Sequence, residues 1–263
     1  MRPIVSEGDL TSRWEVVRPV FGVGMPGVEM GGFRDRAGAE VEMMPVALPA
    51  VTVAFTCGET GLSLENSAGR RSLGGYVVGM SPSAHIVRGR IDGIKVRLSP
   101  VVAYSVLGVA PEELSDTIVG VDDLWGRAGD RLCDQLVETA AWDERFTLVT
   151  NFLVRQFARR AADAEVAATW HRLVAGRGLV PVTELAADCG WSRKRLWSRF
   201  IAQIGVTPKH ASRVVRFRRA FELLIRGTSA AEAAVACGYA DQPHLHREVS
   251  EFAGMTPGVL GKP

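Results

Sequence analysis

The sequence predicts an α+β protein, with a β-rich N-terminal domain, helices that follow it and an all-α C-terminal domain. Three observations predict this class. Short β-branched runs separated by glycine and proline fill the first hundred residues, which is typical of a small sandwich or barrel. Apolar residues then recur at helical spacing as far as residue 157. The last third contains one helical unit twice, and 263 residues are enough for two domains.

The N-terminal runs are the candidate strands, because β-branched and aromatic residues favour extended backbone. They are Val16-Val17, 46–48, 51–55, 76–78, 85–87 and 94–98. Their inward side chains could line a ligand pocket that also holds a polar group. The candidate pocket residues are Val53, Phe55, Val78 and Ile86, with Tyr76 or His85 as the polar group. The alternative is a filled core that serves only dimerisation.

Helices are predicted between residues 100 and 157. One covers 101–107 and ends at Gly108, and a longer one begins near Asp122 and continues through Leu136. Another has apolar residues at 146, 149, 153 and 157. These helices could pack on the β-rich domain or pair between two subunits. The predicted organisation is a regulatory domain over 1–157, a linker over 158–178 and a C-terminal domain over 179–263.

The repeated unit begins with Leu-Ala-Ala-Asp-Cys-Gly-Trp at 185–191, which returns as Ala-Ala-Val-Ala-Cys-Gly-Tyr at 233–239. Each copy ends in Gly-X-Thr-Pro. Gly190 can take the left-handed conformation that ends a helix, and Ser192 can cap the next one. Ser229 and Glu232 form a capping box in the second copy. A short helix, a glycine turn and a second helix predict a helix-turn-helix unit.

A long amphipathic helix is predicted between the two units, over 208–226. Val214, Phe217, Phe221 and Leu224 follow a 3-4-3 spacing, which places them on one face. At 1.5 Å per residue the helix is about 27–28 Å long, comparable with one turn of DNA, about 34 Å. It could therefore hold two recognition helices roughly one DNA turn apart.

The second helix of each unit has a polar face that suits DNA. The candidate DNA-binding residues are Ser192, Arg193, Lys194, Arg195, Trp197, Ser198 and Arg199 in the first unit, and Asp241, Gln242, His244 and Arg247 in the second. Arginine can pair with guanine and glutamine with adenine, while some of the arginines are expected to contact phosphates. For Asp241 and Glu248 we favour capping and pairing inside the domain over base contacts.

Charge is unevenly distributed along the chain, although the net charge is only +2. Residues 176–263 hold 13 Lys and Arg against 7 Asp and Glu, about +6, and the rest holds 18 against 22, about −4. A basic C-terminal domain next to a mildly acidic one supports phosphate binding.

Further positions complete the pattern of the repeat. They are Glu184, Leu196, Phe200, Arg218-Arg219-Ala220, Leu223-Leu224, Asp241-Gln242, His244-Leu245, Glu248, Phe252-Ala253-Gly254 and Thr256-Pro257. With them, residues 176 to 260 resemble the DNA-binding domain of the AraC/XylS family of bacterial transcription regulators. The sequence departs from the family at Val249, where phenylalanine is frequent, and at Pro243, which the first turn of a helix tolerates.

The resemblance implies a sequence-specific regulator that places the second helix of each unit in the major groove. Its partners would be double-stranded DNA, a small-molecule effector and a second copy in a homodimer. In this family the N-terminal region is often a cupin-like barrel that senses a ligand, so a cupin-like barrel is one form open to the β-rich domain. Two alternatives remain: a DNA-binding module attached to an enzyme, and a helical scaffold for protein interactions.

Enzyme, metal and membrane functions find little support in the sequence. The cysteines at 57, 133, 189 and 237 form no C-x-x-C pair, and His85 is the one histidine of the strand-rich region, so neither a metal nor a cofactor is expected. The first residues are charged and polar, and no apolar run reaches membrane length. The sequence therefore predicts a reduced, cytoplasmic protein that is not an enzyme.

Overall fold

The computed structural model describes residues 13–20, 24–43, 45–58, 61–66, 69–80, 86–115, 117–157 and 160–260. Its strands form two antiparallel sheets, in the orders β1-β2-β9-β4-β7-β10 and β3-β8-β5-β6. The strands are β1 (Trp14–Val17), β2 (Val28–Asp35), β3 (Val41–Met43), β4 (Val51–Thr56), β5 (Leu62–Asn66), β6 (Gly69–Leu73), β7 (Gly75–Val78), β8 (Ile86–Gly89), β9 (Asp92–Leu98) and β10 (Ile118–Gly120). With the helices described below, this confirms the α+β class.

One face of the larger sheet packs against helices of the same domain. The elements are α1 (Pro100–Val106), a 3-10 turn (Pro111–Leu114), α2 (Val121–Trp125), α3 (Arg127–Glu138) and α4 (Trp142–Gln156). Val53, Phe55 and Val96 are buried in this core with Leu136 and Phe152. The single long helix predicted from Asp122 is two helices, because Gly126 has a positive φ of 54° and breaks it.

The predicted pocket residues do not come together. Val53 pairs with Val77 across β4 and β7, so Val78 points to the opposite face of the sheet. Val78 and the half-buried Tyr76 pack there with apolar residues of the smaller sheet, while Val53 and Phe55 are buried in the core facing the helices. Strand alternation therefore separates them. His85 and the side chain of Ile86 lie outside the described residues.

The C-terminal helices follow the order that the repeat predicts. They are α5 (Ala164–Ala175), α6 (Val182–Asp188), α7 (Arg193–Ile204), α8 (Pro208–Ile225), α9 (Ala230–Ala236), α10 (Gln242–Ala253) and α11 (Pro257–Leu260). Helix α5 lies inside the predicted linker, and its Val166, Trp170 and Leu173 are buried in the core of the first unit. None of the helices in the described ranges is long and apolar enough to cross a membrane.

Two short segments of the N-terminal domain are buried in the cores of the helix-turn-helix units. Met80, which follows β7, is buried in the core of the first unit, and Ala47 is buried in the core of the second. The Ala47 N–H donates to the Phe252 carbonyl at 2.9 Å, and the Leu48 N–H donates to the Met80 carbonyl at 3.1 Å. Residues 46–48 are thus a docking loop and not the strand that their β-branched sequence suggested.

Candidate DNA-binding surface

Helix α7 has one buried face and one exposed polar face. Ser192 caps it, since its Oγ accepts a hydrogen bond from the Arg195 N–H at 3.2 Å. Leu196 and Phe200 anchor the helix in the core of the first unit. The opposite face holds the predicted contact residues, all of them exposed: Arg193, Lys194, Arg195, Trp197, Ser198 and Arg199. Trp197 is 55% exposed, which is unusual for so large an apolar side chain.

Two of these side chains also bind inside the protein. Arg199 makes a two-pronged ion pair with Asp163, at 2.7 and 2.9 Å, and this partner holds the pKa of the Asp163 carboxyl below its usual range. The Arg195 guanidinium lies 4.5 Å from the centre of the Trp191 ring. Arg199 is therefore oriented by the segment before α5, a partner that sequence spacing does not reveal.

Helix α10 likewise has a capping side chain at its start and an exposed polar face. The Asp241 carboxylate caps it by accepting from the His244 N–H at 2.7 Å, which confirms the capping role predicted for Asp241. Gln242 and Arg247 are exposed, whereas His244 is half-buried and packs edge-on against Tyr239, with ring centres 5.2 Å apart. Pro243 lies in the first turn, where its missing N–H has no partner to lose.

Glu248 is the centre of a buried charged network, as its predicted pairing with a nearby arginine requires. Only 2% of the residue is exposed. Its Oε1 accepts from Arg213 Nε at 2.9 Å and from Arg216 Nη2 at 2.8 Å, and its Oε2 accepts from the Tyr239 hydroxyl at 2.8 Å. Burial and the adjacent carboxylate raise the pKa of Tyr239, so its hydroxyl stays a donor. The network joins α10 to α8.

Helix α8 is anchored in the core of the second unit through its apolar seam. Phe217 is fully buried, and its ring centre lies 5.5 Å from that of Phe221 and 5.2 Å from that of Phe252. Val214 and Leu224 belong to the same core, so all four seam positions predicted by the 3-4-3 spacing are buried. The seam thus packs α8 against α10, and other residues of α8 are buried in the core that holds α7.

Several solved structures are similar to this chain at low sequence identity. ToxT from Vibrio cholerae is similar over 91% of this chain and 100% of its own, at 9% identity and a TM-score of 0.49. The xylose-binding transcription activator xylR is similar over 49% of this chain and 38% of its own, at 18% identity and a TM-score of 0.35. The AraC-like transcriptional activator CuxR covers 81% of this chain and 87% of its own, at 11% identity and a TM-score of 0.28.

Sequence comparison adds one match. No curated protein matches the chain. Residues 185–262, however, match the family model described as a helix-turn-helix domain, and the match spans α7, α8, α9 and α10. The C-terminal part of the chain is therefore a helix-turn-helix domain.

Proposed function

We propose that the protein is a transcription regulator that binds two adjacent major-groove segments of double-stranded DNA through α7 and α10. One observation carries the proposal: two equivalent capped helices present exposed polar faces and are held by a single 18-residue helix, α8. That helix is about 27 Å long, which suits two contacts roughly one DNA turn apart. We further propose that the protein works in the cytoplasm.

The proposed roles differ among the candidate residues. Arg193 and Lys194 are exposed at the N-terminal end of α7, where side chains reach base edges or phosphates. Gln242 suits adenine, and Arg247 suits guanine or a phosphate. Ser192 and Asp241 act first as helix caps. The remaining candidates, Arg195, Trp197, Ser198, Arg199 and His244, complete the proposed surface.

Two other functions are less well supported by the described residues. An attached enzyme that uses a nucleophilic thiol would need a depressed cysteine pKa. Burial instead raises the pKa of Cys57 to about 11 and that of Cys133 to about 12. A protein-interaction scaffold would need apolar exposed faces on α7 and α10. Arginine and lysine instead dominate the exposed face of α7, and Gln242 and Arg247 lie on that of α10.

The Arg193→Ala variant tests the placement of α7. If Arg193 contacts guanine, the variant should lose about 1–3 kcal/mol of binding free energy and relax the preference at one base pair. A phosphate contact would instead weaken binding to all DNA sequences alike. The slope of log affinity against log salt concentration would then fall in magnitude by about one. The operator is first selected from a random DNA pool, and affinity is measured by fluorescence anisotropy at several salt concentrations.

Arg131→Ala is the matched control, because Arg131 is an exposed arginine on α3 of the N-terminal domain. Its affinity should equal that of the wild type. Unchanged affinity and preference in Arg193→Ala, Lys194→Ala and Arg195→Ala together would show that α7 is not in the groove.

We also propose that the N-terminal domain regulates DNA binding, through a small-molecule effector or through dimerisation. The support is its contact with both units by way of Met80 and Ala47. The DNA affinity of a 160–263 fragment, which keeps α5, should differ from that of the full chain. If the DNA affinity of the full chain depends on protein concentration, dimerisation is supported. If that affinity changes on addition of cell extract at fixed protein concentration, an effector is supported. Equal affinity and selectivity under all these conditions would contradict both roles.

A further inference from the structure

A cavity of about 280 Å³ lies between the N-terminal domain and the first helix-turn-helix unit. Met80, Tyr104 and Val109 form part of its N-terminal wall, and residues 204–207 with His210 form the opposite wall. The cavity lies at the C-terminal end of α7 and the start of α8. It is separate from the strand-lined pocket that the sequence suggested.

The lining of the cavity is mainly apolar. Its polar side chains are the hydroxyls of Tyr104, Ser115 and Thr207 and the imidazole of His210, and none of the lining residues that the structure describes is Asp, Glu, Lys or Arg. Arg160 lies over the Tyr104 ring, but its guanidinium already donates to two backbone carbonyls of this wall. A charged ligand would therefore lose its hydration without gaining an opposite charge on the lining itself. An uncharged molecule with one hydroxyl or carbonyl group suits this lining better.

The volume limits the ligand to a small molecule. Ligand pockets usually begin at about 300 Å³, and a water molecule in the liquid takes about 30 Å³. The cavity of about 280 Å³ is thus close to the lower limit. A single six-membered ring with one polar substituent fits this size.

The rim of the cavity is a direct contact between the two domains. Gly205 ends α7 with a φ of 87°, and the Ser115 hydroxyl donates to its carbonyl at 3.3 Å. A Cβ at Gly205 would lie 2.8 Å from the Pro111 carbonyl oxygen, so the two segments approach each other here as closely as glycine allows. A ligand in the cavity would contact the wall that ends α7.

We propose that this cavity is the effector site of the protein and takes an uncharged, single-ring molecule with a hydroxyl or carbonyl group. The ligand binds between Val109 and Val206 and changes how the N-terminal domain is docked on the first unit. This inference deepens the regulatory part of the proposed function and rests on it for its effect on DNA. Binding itself can be measured without DNA, so the two proposals can fail separately.

The test uses phenol as the neutral probe and benzoate as its charged counterpart, each titrated into the full-length protein by NMR. Phenol is expected to bind saturably, with a Kd of about 1 mM or tighter, which corresponds to about −4 kcal/mol. Benzoate should bind at least tenfold more weakly. Equal binding of the two, or no saturable phenol binding, would overturn the proposal.

Two cavity-filling variants locate the site. Val109→Phe and Val206→Phe fill the cavity from opposite walls, and each should weaken phenol binding at least tenfold. Val137→Phe is the control, since Val137 is exposed on α3 and does not line the cavity. Circular dichroism identifies the variants that fold. Phenol affinity that is unchanged in a folded cavity variant would place the ligand elsewhere and overturn the assignment.

Discussion

The Glu248→Ala variant is expected to lower the free energy of unfolding of the C-terminal domain by about 3–5 kcal/mol, the usual cost of removing one partner of a buried ion pair. The change leaves Arg216 half-buried without its carboxylate, and Arg216 Nε already has no partner among the described residues. Urea denaturation followed by circular dichroism measures the effect. DNA affinity should fall as well, because Glu248 joins α10 to α8.

Glu251→Ala provides a matched control. Glu251 also pairs with Arg213, at 2.5 Å, but its side chain is 50% exposed. Removing this ion pair should lower the free energy of unfolding by about 0–1 kcal/mol, as for other surface ion pairs. If Glu248→Ala instead reduced DNA affinity with no loss of stability, Glu248 would be a direct or water-bridged base contact and the structural role would be wrong.

The Phe217→Ala variant should destabilise the same domain by about 3–5 kcal/mol, the typical cost of removing a buried phenylalanine ring. Phe217 is fully buried and packs at a tilt against phenylalanines of both α8 and α10, so the variant would leave a cavity between two helices. The thermal midpoint and the urea midpoint should both fall.

Val235→Ala is the comparison, because Val235 is an apolar side chain of the same domain that is 82% exposed. Its stability should stay within about 0.5 kcal/mol of the wild type. A similar loss in the two variants would show that the seam does not hold α8 to the second unit.

The helices of the repeat could be predicted because their information is local. Gly190 and Gly238 both have positive φ, at 67° and 69°, and Ser192 and Ser229 both accept the capping hydrogen bonds. A glycine turn and a cap need only residues a few positions apart. The seam of α8 is likewise a periodic pattern within a single helix.

Strand β2 shows why much of the N-terminal domain could not be predicted. This strand was not among the predicted ones, and its central Gly31 and Gly32 lack the β-branched side chains on which the strand prediction relied. A Cβ at Gly32 would lie 2.5 Å from the Trp142 ring, so the glycine is needed for packing against α4. That contact joins residues more than a hundred positions apart, and no local pattern encodes it.

The candidate site also has a part that local sequence patterns predict and a part that depends on contacts between distant residues. The exposed residues of α7 and α10 follow from helical periodicity, and they stay predictions as DNA contacts. The arginine partners of Glu248 lie 32 and 35 positions away on another helix, so the sequence predicted an arginine partner but not which one. The role of Arg199 is similar, since Asp163 lies in a segment predicted to be a linker.

The contacts of Met80 and Ala47 have a thermodynamic consequence. Because the N-terminal domain is packed into both helix-turn-helix cores, a change in the spacing of the two units must also change that domain. Linkage is reciprocal: a ligand that alters DNA affinity by some factor has its own affinity altered by DNA by the same factor. Under the proposed function, promoter DNA would then act as an effector of the N-terminal domain. Two promoters with differently spaced half-sites would give the same protein two different affinities for its ligand.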